Sequence, residues 1–183
     1  GDYQFRYWNF GSDLEQILLR TGVTYSPRGA DIQFTLGYGN ITSGAFGDSD
    51  AKITEHRVYQ EALFSQTLGA RFYLTHRLRF EQRWVEDQDF RTRYRYNLFV
   101  NVPLNTNSMA AGALYLVLYN ELFINGQTEI GAERTVQLFD RNRTYLGLGY
   151  FISDNLRVQG GWMKQTTANW AKKQAQISLH HRL

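Results

Sequence analysis

The sequence predicts an all-β chain: a transmembrane antiparallel up-and-down β-barrel of about ten strands, with eight and twelve as the neighbouring counts. Three observations predict the strands. Apolar residues recur at every second position over most of the 183 residues, the spacing of strands with one apolar face. No stretch carries the three-to-four spacing of an amphipathic helix. The connections alternate between short turns and longer polar loops, as they do when every hairpin runs up and then down.

The first strands are read at 3–10, 14–26 and 30–41, the second and third joined through the turn Ser26-Pro27-Arg28-Gly29. A polar loop over Thr42 to Ile53 leads to a strand at 54–67, and Thr67-Leu68-Gly69 turns the chain into 70–86. There Phe72, Leu74, Leu78, Phe80 and Trp84 alternate with Arg71, Tyr73, Arg77, Arg79, Glu81 and Arg83. After Glu86 to Phe90, the strand 91–103 sets Tyr94, Tyr96, Leu98, Val100 and Val102 against Arg91, Arg93, Arg95, Asn97, Phe99 and Asn101. The connection Pro103 to Gly112 precedes 113–125, where Leu114, Leu116, Leu118 and Leu122 oppose Tyr115, Tyr119 and Glu121. Gly126 to Thr135 leads to 136–152, Ser153-Asp154-Asn155 to 156–165, and Thr166 to Lys172 to 173–183. Both prolines fall in the short-turn set, where they end strands without interrupting a ladder.

Composition narrows the class. With 43% hydrophobic and 15% aromatic residues the chain is not disordered. The absence of Cys excludes disulfides, a thiolate nucleophile and Cys-ligated metals. The longest nearly apolar run, Met109 to Tyr119, is far short of the ~20 residues a spanning helix needs. No signal peptide is visible; the expectation is one barrel domain over 1–183, in a processed or N-terminally shortened form. Net charge is +3, and 16 of the 20 basic residues are Arg, the cation suited to fixed hydrogen-bonded networks.

Alternation shows that one face is apolar without showing which way it points. A soluble barrel would turn that face inward; a bacterial outer-membrane barrel turns it toward lipid. Strands such as 70–86 and 136–152 are long enough for the ~9–11 residues that span a bilayer. Tyr3, Tyr25, Tyr38, Trp84, Tyr94, Tyr150 and Trp162 share the apolar parity near strand ends, as an aromatic girdle does. Ala175, Ile177, Leu179, His181 and Leu183 alternate at the C-terminus like an outer-membrane terminal strand, with Leu183 where Phe is usual. The outer membrane is therefore the expected location, its lipid and lipopolysaccharide the expected surroundings, and the barrel is expected to close between its first and last strands.

The runs Glu55-His56-Arg57-Val58-Tyr59-Gln60-Glu61, His76-Arg77-Leu78-Arg79-Phe80-Glu81-Gln82-Arg83 and Arg93-Tyr94-Arg95-Tyr96 resemble a family of small outer-membrane β-barrels catalogued as a domain of unknown function. Tyr119-Asn120-Glu121-Leu122-Phe123 and Phe139-Asp140-Arg141-Asn142-Arg143-Thr144-Tyr145-Leu146-Gly147-Leu148-Gly149-Tyr150 extend the resemblance. It covers 52–183 well and the first fifty residues loosely, and it implies a fold and a location but no activity.

On the polar parity lies a candidate lumen network: Arg57, Glu61, Arg77, Arg79, Glu81, Arg83, Arg93, Arg95, Glu121, Arg141 and Arg143. Hairpin registers set Arg57 opposite Glu81, Glu61 opposite Arg77, Glu81 opposite Arg95 and Arg83 opposite Arg93, the Pro103 connection sets Arg95 opposite Glu121, and the family resemblance implies Glu121 beside Arg143. Opposed side chains ~4.5–5.5 Å apart at Cβ can form charge-assisted pairs. Tyr59, Tyr115, Tyr119 and Tyr145 share this face, and Gly147, Gly149 and Gly161 would leave space beside them. The expected function is a net-positive lumen, either a narrow channel for small anionic solutes or a closed scaffold. The alternative is a partner-binding subunit of a larger outer-membrane assembly, acting through its wall or through loops 42–53 and 126–135; the third reading is a lipid-modifying enzyme.

Catalysis is not expected. Ser178 and His180 share a face without an acidic third member, His76 falls among lipid-facing residues, and His56 sits at the rim beside Glu55 and Asp50. No cofactor is implied, and the histidines lack zinc spacing. Asp48 and Asp50 form only a weak Ca²⁺ candidate in the loop 44–50, for which a solvated loop is the simpler reading. Nucleic acid is not an expected partner, because Glu61, Glu81 and Glu121 interleave with the arginines.

Overall fold

The computed structural model describes residues 1–9, 12–45, 47 and 51–181. Among them are ten strands and no helix: β1 (Asp2–Asn9), β2 (Ser12–Tyr25), β3 (Ile32–Gly44), β4 (Lys52–Leu68), β5 (Phe72–Val85), β6 (Arg91–Pro103), β7 (Leu114–Asn125), β8 (Phe139–Ser153), β9 (Leu156–Thr166) and β10 (Ala171–His181). The strands form one antiparallel up-and-down sheet in sequence order, β1 to β10. Asp48, Asp50 and Leu183 lie outside the described residues.

Local chemistry sets the strand boundaries. Gly69, with φ of 58°, takes the left-handed conformation that turns β4 into β5 at no steric cost. Between β6 and β7 the backbone closes at Leu104 N to Leu114 O, 2.8 Å, and Asn105 ties the connection across. Its amide donates to Gly112 O and its side-chain oxygen accepts from Leu114 N. Several boundaries differ from the periodicity by two or three residues: β2 begins at Ser12, β3 spans Ile32–Gly44, and β4 and β5 begin at Lys52 and Phe72. β10 begins at Ala171, two residues early, because Thr167 N bonds Trp170 O at 2.9 Å and the Thr167 hydroxyl accepts from Asn169 N and Trp170 N. The longer loop expected there is a tight threonine-capped turn. β8 begins at Phe139, three residues late, because the preceding residues pair within their own loop through Val136 N to Thr128 O and a Glu129–Thr135 bridge.

Contacts divide the chain into two compact units. Unit 1 comprises Gly1–Ala62, Arg79–Tyr94 and Asn125–Leu138; unit 2 comprises Leu63–Leu78, Arg95–Ile124 and Phe139–Leu183. In unit 1, β2 and β3 pair Leu19 with Asn40, Thr21 with Tyr38, Val23 with Leu36 and Tyr25 with Phe34. The apolar members of that face are exposed, while Leu18, Ile41 and Tyr59 are buried. The loop after β7 is tied to the β5–β6 connection: Asp89 N bonds Ile130 O, Gly126 N bonds Thr92 O, and Arg134 donates to the Asp87 carbonyl.

In unit 2 the registers of β7 to β10 produce straight rows. On one face run Leu114–Tyr150–Val158–Leu179, Leu116–Leu148–Gly160–Ile177 and Leu118–Leu146–Trp162–Ala175. The next row on that face is polar: Asn120–Thr144–Lys164–Lys173. On the opposite face run Tyr115–Gly149–Gln159–Ser178, Val117–Gly147–Gly161–Gln176, Tyr119–Tyr145–Met163–Gln174 and Glu121–Arg143–Gln165–Lys172. Ala113, Tyr115, Val117, Tyr145, Phe151 and Met163 form the buried cluster on that second face.

Burial is inverted relative to a water-soluble sheet. Glu81 and Glu121 are 1% and 3% exposed, whereas Val23 and Ile177 are 78% and 86% exposed. Charged residues are almost never fully buried unless paired, so the polar face must carry its own counter-charges.

Candidate functional site

The polar face of unit 1 holds Arg57, Tyr59, Glu61, Arg79, Glu81, Arg83 and Arg93. Odd-numbered positions of β4 and β5 share this face because strand side chains alternate. Glu55 anchors one group. It accepts a two-bond fork from Arg57 at 2.5 and 2.8 Å and a second fork from Arg83 at 2.5 and 2.9 Å. The other group runs as a chain: Arg79 bonds Glu61 at 2.5 Å and reaches Glu81 at 3.8 Å, while Arg93 bonds Glu81 at 2.6 and 2.8 Å. Tyr59 lies under the Arg79 guanidinium, 4.3 Å from its ring centroid, and occupies the place where a Cβ on Gly37 would stand. Four guanidiniums thus meet three carboxylates.

In unit 2, Glu121 accepts from Arg77 at 2.7 Å and from Arg95 at 2.5 Å, and its register partner across β7–β8 is Arg143. Arg143 donates to Gln165 at 2.7 Å, and Arg141 pairs with Asp140 at 3.1 Å. Three guanidiniums surround the buried Phe123 ring: Arg95 at 4.4 Å, Arg143 at 5.0 Å and Arg141 at 5.8 Å. Among the described residues, four arginines and two carboxylates meet here. A buried charge pair gives little net stability but is costly to break, since the abandoned charge stays dehydrated.

The tyrosines fill the space beside them. Tyr115 covers Gly149, and Tyr145 covers Gly147 and Gly161, each ring standing where a glycine Cβ would otherwise be. Tyr119 stacks on Tyr145 with ring centroids 5.0 Å apart and planes 8° from parallel. Tyr115 and Tyr145 are almost wholly buried. The glycines therefore admit rings instead of leaving a gap, which corrects the expectation of open space around them.

The ion pairs differ from three of the expected oppositions: Glu61 accepts from Arg79, and Arg77 and Arg95 both reach Glu121. Arg57 bonds Glu55 on its own strand, two residues away, and Glu81 is held by Arg79 and Arg93. Two residues on one strand face lie close enough for a long Arg side chain to fold back, so opposite position does not by itself decide the partner. Arg95 on Glu121 and Glu121 opposite Arg143 are present. Sequence reasoning passed over Glu55, Gln165, Gly37 and the ring of Phe123. The odd parity of Glu55 and Phe123 was the available signal.

His56 and His76 are on the apolar face, whereas His180 shares the opposite face with Ser178. His56 shares Tyr38's hydroxyl through Nδ1 at 2.5 Å. His76 bonds Tyr96 at 2.9 Å and stacks on Phe64, centroids 4.3 Å apart. Glu55 and His56 point to opposite faces, as consecutive strand residues must, so they do not form a rim site together. Among the described residues, no group of three or more His, Asp or Glu is placed to hold a metal ion.

No curated protein and no solved structure matches the chain. A family model described as "Protein of unknown function (DUF2490)" matches residues 1–176, taking in the first fifty residues as well as the ion-paired strands. With nearly the whole of its length matched, the chain belongs to that family of unknown function.

Proposed function

We propose that the chain is a bacterial outer-membrane β-barrel whose ion-paired face lines the interior and whose apolar face meets lipid, and that it acts as a closed scaffold. The inverted burial carries this reading: carboxylates at 1–3% exposure on one face, aliphatic side chains at 78–86% on the other. Water would strip such a sheet of its hydrophobic stabilisation, whereas hydrocarbon favours it. The rows Leu114, Leu116 and Leu118 with their partners supply a lipid-facing belt. Forked Arg–Glu pairs and tyrosines seated on glycine support a filled interior, as expected for small barrels of this strand number.

A narrow anion pathway is the second reading, favoured by the excess of guanidiniums over carboxylates around Glu121 and Phe123. One experiment separates the two. The protein is refolded into phosphatidylcholine vesicles, and folding is read from the difference in gel mobility between unboiled and boiled samples. Folded protein is then added to a planar bilayer under a salt gradient. Absence of current steps from the folded protein supports the scaffold; anion-selective steps support the pathway; failure to insert overturns the membrane reading.

A further inference from the structure

In unit 2 the apolar rows of the exterior end at a single polar row, Asn120–Thr144–Lys164–Lys173. Asn120 donates to Thr144 Oγ1 at 2.9 Å and exchanges hydrogen bonds with Asn142 at 3.0 Å, so its first half is satisfied within the protein. The second half is not. Lys164 and Lys173 stand directly opposite each other on β9 and β10, both exposed, and among the described residues neither joins an ion pair.

Directly opposed like charges on adjacent strands are destabilising. A single lysine at the edge of an apolar belt needs only water for its ammonium. Two side by side call for an anion between them. The surroundings indicate which kind. Trp162, 69% exposed, lies two residues from Lys164 on the same face, and Trp170, 50% exposed, stands in the adjoining turn. Tryptophans at the edge of an apolar belt sit at headgroup level.

We propose that Lys164 and Lys173 form a binding site on the outer wall for the phosphate of an anionic membrane lipid. This rests on the membrane reading above. Charge complementarity selects the occupant: two ammoniums, no acidic neighbour in the row, and a lipid-facing belt ending one row away.

The test uses the intact chain refolded into mixed phosphatidylcholine and phosphatidylglycerol vesicles, with the bromine quencher carried by one lipid and then by the other. Tryptophan quenching reports which lipid lies against the protein. The wild type is expected to favour brominated phosphatidylglycerol, by roughly five-fold per lysine, the effect of one basic residue at an anionic surface. The K164Q/K173Q double variant is expected to lose that preference, and K52Q, whose lysine lies in unit 1, to keep it. K173E is a second variant: its carboxylate pairs with Lys164, relieves the repulsion and neutralises the site, so folding is kept and the preference lost. Equal quenching by both lipids in folded wild type, or an unchanged preference in folded K164Q/K173Q, overturns the site and leaves the barrel reading standing. Absence of a gel-mobility shift in the wild type overturns both.

Discussion

Tyr115 lies across Gly149, its ring filling the volume that any other residue at position 149 would claim. The two are register partners on β7 and β8, so the ring covers the neighbouring strand instead of pointing into open space. The same arrangement joins Tyr59 to Gly37 in unit 1. On a face crowded with guanidiniums, these rings exclude water and supply flat surfaces on which the charges rest.

Gly149→Val is expected to lower the urea midpoint of the refolded protein by the cost of overpacking, about 1–3 kcal/mol. Tyr115→Ala leaves a cavity and also destabilises. In the double variant the two effects are less than additive, because the valine then occupies part of the space the ring has left. Full additivity would mean that the ring does not depend on the glycine.

Glu55→Gln is expected to destabilise more than any exposed charge change. It removes the negative charge and one of the two acceptor oxygens that the guanidinium forks share, so Arg57 and Arg83 lose their counter-charge, a loss of about 3–5 kcal/mol for a buried pair. Urea unfolding followed by gel mobility measures it. A loss below about 1 kcal/mol would show that this face is hydrated.

Arg79→Lys keeps the charge but forfeits the planar fork to Glu61 and the stacking on Tyr59. The expected cost is about 1–2 kcal/mol. Arg141→Lys is the contrast, since the Arg141 side chain is 29% exposed and its Asp140 partner adjoins it in sequence. Its expected effect is below about 1 kcal/mol. Equal effects from the two substitutions would remove the stacked geometry as the reason for arginine.

Tyr119 and Tyr145 are expected to block passage in the scaffold reading. Replacing both by Ala removes a stacked pair from the filled face. The variant is then expected to give current steps in a planar bilayer where the wild type gives none, with anion preference set by the surrounding arginines. If the folded variant remains without current, these rings are not what closes the interior.

Much of this was legible in the chain itself. Period-two alternation between 71 and 104 announced both the strands and their two faces, since a strand side chain has only two directions to point. The turn position set β4 beside β5, while the family resemblance set Glu121 beside Arg143, where the β7–β8 register has it. Glu55 shares the polar parity, but by sequence it reads as a rim residue beside His56, because one of its guanidinium partners lies on its own strand and the other on β5.

What the sequence by itself determined, then, is the strand order, the face on which each side chain lies and the excess of arginine over carboxylate. These follow from a period of two and from charge counting, both local properties. Tertiary structure alone decided that Arg57 turns back to Glu55, that Glu121 holds both Arg77 and Arg95, and that the glycines receive tyrosine rings. Arginine and tyrosine side chains reach across several backbone positions, so their partners depend on how neighbouring strands bring competing acceptors and empty volume within range, and no single strand carries that information.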